Sequence, residues 1–147
     1  MHDYEIYSEC DQINDFIEKR DVATARSKVI NLLDRMQQDG NRYNPMVNHF
    51  IRVVGLFPYI DKKTALWDDQ VVVEAFKADV GDIAPVTLHS AQSRVLKRLL
   101  LGENIAVSAP TSFGKSFIID AFISIRKPDN VVIIVPTIAL ADETRRR

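Results

Sequence analysis

The sequence holds one cysteine, Cys10, which excludes an internal disulfide framework and a cysteine zinc site. A lone thiol fits a reducing compartment, so a cytoplasmic location is the expectation. Neither sign of charge dominates: 19 basic side chains stand against 20 acidic ones, a net charge of −1. The strong positive field of a dedicated nucleic-acid-binding domain is therefore missing, and any such binding must be local. No apolar run approaches the roughly 20 residues that span a bilayer. The opening MHDYEIYSEC carries acids where a secretory signal would carry a basic region and then an apolar stretch. A soluble protein with no membrane partner is expected. Internal repeats and low-complexity segments are also lacking. What remains is a 147-residue chain with 46% hydrophobic residues, enough to bury a core and too many for a disordered or fibrous class.

The charge is unevenly placed. Residues 1–89 carry 10 basic and 15 acidic side chains, whereas residues 90–147 carry 9 and 5. This break marks a functional boundary between parts that face different partners.

The acidic part reads as helices. Ile6, Cys10, Ile13, Phe16 and Ile17 recur at helical spacing, and so do Val22, Ala25, Val29, Leu32, Leu33 and Met36. Asp21 is placed to cap the second helix and Gly40 to end it. A third begins with Asn44 as cap and Pro45 in the first turn, turns Met46, Val47, Phe50, Ile51 and Val54 inward, and is closed by Gly55 and Pro58. A fourth is expected from about residue 64 to 77, with Leu66, Trp67, Val71, Val72, Ala75 and Phe76 on its apolar side, although the valine triplet also suits a strand. Stripes of this kind are core faces before they are ligand sites, so residues 1–80 are expected to form a small helical domain.

Residues 81–87 form a connector, after which the pattern changes. A helix over residues 88–101 ends at Gly102, a short buried strand follows at IAVSA (105–109), then a PTSFG loop and a helix over residues 115–125. VVIIV (131–135) is the β-branched run of a strand covered on both faces, and PTIALADETRRR turns into a polar helix. This order opens a doubly wound parallel sheet, so residues 84–147 are expected to be an incomplete α/β segment.

The chemistry lies in Ala109, Pro110, Thr111, Ser112, Phe113, Gly114, Lys115 and Ser116, between a predicted strand and a predicted helix. A helix N-terminus offers unpaired amides and a positive dipole end to an anion. Gly114 permits close backbone approach, Lys115 brings a cation to the β- and γ-phosphates, and Ser116 offers a hydroxyl to Mg²⁺. Ala109 stands where the usual pattern has its first glycine.

LHSAQ, APTSFGKS and VVIIVPTIALADE together resemble the Q-type motif, motif I and motif Ia that open the first RecA-like domain of superfamily 2 DExD/H-box helicases. Motif I of that family commonly starts with Ala, and Gln92 lies 23 residues before Lys115, a separation that suits the family arrangement. The resemblance covers residues 84–147. It implies that Gln92 reads adenine, that Pro110, Thr111, Ser112, Phe113, Gly114, Lys115 and Ser116 bind ATP, that Lys115 serves catalysis, and that Ser116 meets Mg²⁺. It further implies that Pro136, Thr137 and Leu140 shape a contact with a DNA or RNA backbone. Ile138 stands where the motif often has arginine; Arg145, Arg146 and Arg147 suit either phosphate contacts or a solvated helix end. Gln92 itself also fits a surface position on an amphipathic helix.

The 147 residues contain no DExD or DExH, and catalysis in this family needs that motif and an arginine finger. The chain is therefore expected to be the N-terminal part of a longer helicase and to be inactive by itself. Its helical preface gives it an overall likeness to long antiphage-defence helicases such as the Hachiman type, which work beside a nuclease; the acidic helices would then meet a protein partner. Two other readings stay open: a P-loop kinase or AAA-type ATPase, and a non-catalytic helical interaction module with a vestigial loop.

Overall fold

The computed structural model describes residues 2–81 and 84–146. Four helices form the first part: α1 (Asp3–Glu18), α2 (Val22–Gln38), α3 (Pro45–Val53) and α4 (Trp67–Ala75), with a short 3₁₀ turn at Phe57–Tyr59. Their boundaries follow the capping chemistry. The Asp21 carboxylate accepts the Thr24 N–H at 3.1 Å, Asn44 Oδ1 accepts the Val47 N–H at 2.9 Å, and Gly40 leaves α2 at φ +67°, a left-handed turn that favours glycine.

Ile13, Leu32, Met36 and Ile51 are completely buried at the centre of this bundle, with the inward stripes of the first three helices in the predicted register except at Val22, which opens α2 in the solvent and is 52% exposed. Cys10 is buried with them; burial, then the neighbouring Glu9, push its thiol up to about 11, so it behaves as a small hydrophobe. Two polar devices lock α3 to the segment between Asp61 and α4. Asn48 is fully buried, donating to Thr64 Oγ1 at 3.0 Å and accepting the Asp61 N–H at 3.0 Å. Arg52 Nε meets the buried Asp69 carboxylate at 2.6 Å.

That ion pair corrects the fourth helix. Asp69 must face Arg52, and Val73, one turn later, then points into the core, while Leu66 and Trp67 are 60% and 75% exposed. Apolar residue type alone placed Leu66, Trp67 and Val71 inside; the buried carboxylate turns the helix the other way. The helix is also shorter than expected.

Residues 77–78 and 86–87 pair as a two-stranded antiparallel hairpin, β1 (Lys77–Ala78) and β2 (Val86–Thr87); β1 takes the expected end of the fourth helix and β2 the end of what reads in sequence as a plain connector. The second part then carries α5 (Ser90–Leu100), a 3₁₀ turn at Thr111–Phe113, α6 (Lys115–Arg126) and α7 (Ile138–Arg145). Leu96 of α5 packs with Ile118 and Ala121 of α6, and Ala78, Val80 and Leu88 complete this smaller core.

The two strands expected at 105–109 and 131–135 are absent: among the described residues neither run joins a ladder, and the only sheet is the hairpin. A strand requires a neighbour for its backbone donors and acceptors, and these runs find none here. Val132 and Ile134 consequently stand 85% and 91% exposed. The fold is thus mostly helical with one small sheet, and parallel pairing does not occur among the described residues. No helix among them is long and apolar enough to cross a membrane.

The parts meet at the start of α5. Ser90 N–H donates to the Gly55 carbonyl at 3.1 Å and Leu88 N–H to the Phe76 carbonyl at 2.9 Å. Gly55 has φ +73°, and a Cβ there would overlap the Ser90 hydroxyl, so this junction demands glycine twice over.

Candidate nucleotide-binding site

The loop from Pro110 to Gly114 delivers the chain to the N-terminus of α6. Gly114 is the N-cap residue at φ +77°, and no side chain caps the helix. The first-turn amides of α6 are therefore left for another acceptor. Lys115 Nζ donates to the Ala109 and Pro110 carbonyls at 2.7 Å each, which holds the ammonium against the loop with a third N–H to spare. The Ser116 side chain is half-buried at the same turn.

Gln92 is not a surface residue. It is buried, its Oε1 accepts the His89 N–H at 2.8 Å, and its Nε2 donates to the Phe113 carbonyl at 2.8 Å. One amide thus ties the start of α5 to the loop. A Cβ on Gly114 would stand 2.6 Å from Gln92 Nε2, so the close approach this glycine permits is to Gln92. Each end of the amide keeps one further hydrogen-bonding position.

These features fit ATP with Mg²⁺. The uncapped amides and the Lys115 ammonium present donors and positive charge to an anion, and the Ser116 hydroxyl lies in the same first turn of α6. Thr111, Ser112 and Phe113 form the 3₁₀ turn that leads into this cradle, with Pro110 as its N-cap.

Pro136, Thr137 and Leu140 are exposed, and no described hydrogen bond joins them to the loop. Thr137 caps α7, its hydroxyl accepting the Leu140 N–H at 3.3 Å. Arg145 at the end of that helix and Arg146 just after it are exposed, and Arg147 lies outside the described residues.

Sequence reasoning missed three residues beside the loop. Arg26, Tyr59 and His89 line a cavity of about 510 Å³ together with Pro110, Ser112 and Phe113. Only His89, three residues before Gln92 in LHSAQ, lies near a motif; nothing in spacing connects Arg26 or Tyr59 with the loop. The rings of Tyr59 and His89 are 5.7 Å apart and tilted by 32°. Arg26 Nη1 donates to the Val54 carbonyl at 3.0 Å, and His89 closes a capping box at the start of α5, its side chain facing the Gln92 backbone N–H.

Burial, and secondarily the Arg26 charge, hold His89 below its ordinary value near 6.5. The unfolded chain then binds the proton more readily, so this contribution is intact above pH 6.5 and is lost as the pH falls through and below it. Denaturant midpoints at pH 7.5 and 5.5 should differ less for His89→Phe than for the unsubstituted chain. Equal differences would show that this imidazole is not linked to stability.

Residues 89–147 match the family model of the DEAD/DEAH box helicases. Residues 1–70 match the anti-bacteriophage protein B N-terminal domain. Over 124 residues the chain is 37% identical to anti-bacteriophage protein B of Escherichia coli (strain K12), an overlap that covers 83% of this chain and 17% of that protein. No solved structure is significantly similar.

Proposed function

We propose that this chain forms the adenine- and phosphate-binding part of the ATP site of a helicase or nucleic-acid translocase acting in antiphage defence. The observation that carries the reading is the uncapped N-terminus of α6 with Gly114 in a left-handed turn and Lys115 beside it, within a segment that matches the DEAD/DEAH box helicase model. The likeness to anti-bacteriophage protein B supports the defence role. Bound ATP would supply the phosphoanhydride whose cleavage drives movement along nucleic acid.

The chain's own residues bind and position. The α6 amides and Lys115 hold the phosphates, Lys115 offsets their charge, Ser116 holds Mg²⁺, and Gln92 keeps the loop in register while presenting its remaining donor and acceptor to adenine. Pro136, Thr137 and Leu140 meet the DNA or RNA backbone, and the acidic helices face a protein partner, a nuclease by the Hachiman likeness, in the cytoplasm. The 147 residues alone, which contain no DExD or DExH, do not turn over ATP, since loss of an arginine finger by itself costs about 10³–10⁵ in rate.

Calorimetric titration with Mg-ATP tests the reading. A charge-assisted lysine–phosphate bond contributes roughly 1.5–3 kcal/mol, so Lys115→Ala should weaken binding about tenfold or more. Equal affinity for both chains would reduce the loop to a turn. In the same assay Gln92→Ala should narrow the preference for ATP over GTP, and an unchanged ratio would leave Gln92 as a structural clamp alone.

A further inference from the structure

We infer that the helical domain completes the nucleoside pocket, with Tyr59 as the platform on which the base stacks. The inference rests on the phosphate-binding role of the loop proposed above.

The cavity of about 510 Å³ has Arg26 and Tyr59 of the helical domain on one side and Pro110, Ser112 and Phe113 of the loop on the other. Its volume lies within the range typical of small-molecule sites. A nucleotide with its phosphates on the α6 amides has its charged end fixed at the loop. The adjoining space then receives the neutral, flat end; Leu33, Tyr43 and Leu56 give that space apolar walls beside the polar Arg26, Asp34 and Gln37. Tyr59 is 53% exposed even with its ring 5.7 Å from that of His89, so part of its side chain is free to meet a ligand. An aromatic ring stacks any base, because every base presents a π surface.

The polar groups agree. His89 lines the same cavity, its ring 5.7 Å from that of Tyr59. Arg26 uses one N–H on the Val54 carbonyl and retains others for a ribose or base acceptor. A base held between Tyr59 and the loop also ties α2 and the 3₁₀ turn to the motor segment, so nucleotide binding and docking of the helical domain are coupled.

The test titrates the whole chain with Mg-ATP, Mg-GTP and inorganic tripolyphosphate. Tyr59→Ala should weaken ATP and GTP alike, by about tenfold, and leave tripolyphosphate unchanged. Tyr59→Phe, which keeps the ring, should bind as the unsubstituted chain does; Tyr59→Leu, which keeps bulk without a π face, should resemble the alanine variant and serves if that variant folds poorly. Unchanged ATP affinity in Tyr59→Ala and Tyr59→Leu would overturn the inference while leaving the loop's role intact. So would an equal loss for tripolyphosphate, which would mark Tyr59 as a general support of the loop. Failure of the unsubstituted chain to bind tripolyphosphate or ATP would overturn the phosphate-binding reading itself, and the inference with it.

Discussion

Expressed alone, residues 1–80 will be soluble, helical by circular dichroism and cooperative in thermal unfolding, whereas residues 84–147 will aggregate. The reason is where each part keeps its core. The buried cluster of the helical domain draws all its members from Ile6 to Val73, and the Asn48 and Arg52 bonds that close it also lie inside that span. Dividing the chain leaves this cluster whole. The smaller cluster loses Ala78 and Val80, which lie before the cut, and β2 loses its partner strand. The remainder must carry Val132 and Ile134 almost fully in water. A β-branched run with unpaired backbone groups pairs with its own copies. A non-cooperative melt for residues 1–80, or a soluble monomer for 84–147, would contradict this account.

The same residues separate local signals from long-range ones. The first three helices are legible in the sequence because caps and periodicity are local: Asp21, Asn44 and Gly40 act within a turn of themselves. The rotation of the fourth is not, because it depends on Asp69 meeting Arg52, seventeen residues earlier in the chain. Residues 105–109 and 131–135 have strand composition, yet a strand is a relation between segments, and composition does not supply the partner. At the site, the loop and Gln92 are legible from the order of the motifs. The bond from Gln92 to the Phe113 carbonyl and the cavity wall formed by Arg26 and Tyr59 are not, since they arise from docking of distant elements.

Gly114→Ala should be the most damaging single change at the loop. A non-glycine residue in the left-handed region costs on the order of 1–2 kcal/mol, and the new Cβ would lie 2.6 Å from Gln92 Nε2, too close for both to stay. The loop or Gln92 must move, and the Phe113 bond goes with it. We expect a loss of about 1–3 kcal/mol in stability and at least tenfold in ATP affinity, because the amides are no longer aimed together. A double-mutant cycle separates the two causes. Gln92→Ala removes the clash and leaves the backbone strain, so Gly114→Ala should cost less on the Gln92→Ala background. Strict additivity would mean that the clash contributes nothing.

Amide chemical shifts of the ¹⁵N-labelled chain report directly on whether the N-terminus of α6 and the loop before it hold the phosphates of a nucleotide. Adding Mg-ATP should move the resonances of Ser112, Phe113, Gly114, Lys115, Ser116 and Phe117 most strongly, and Lys115→Ala should suppress the change at the same concentration. Shifts that leave these residues untouched, or that persist undiminished in Lys115→Ala, would contradict the account.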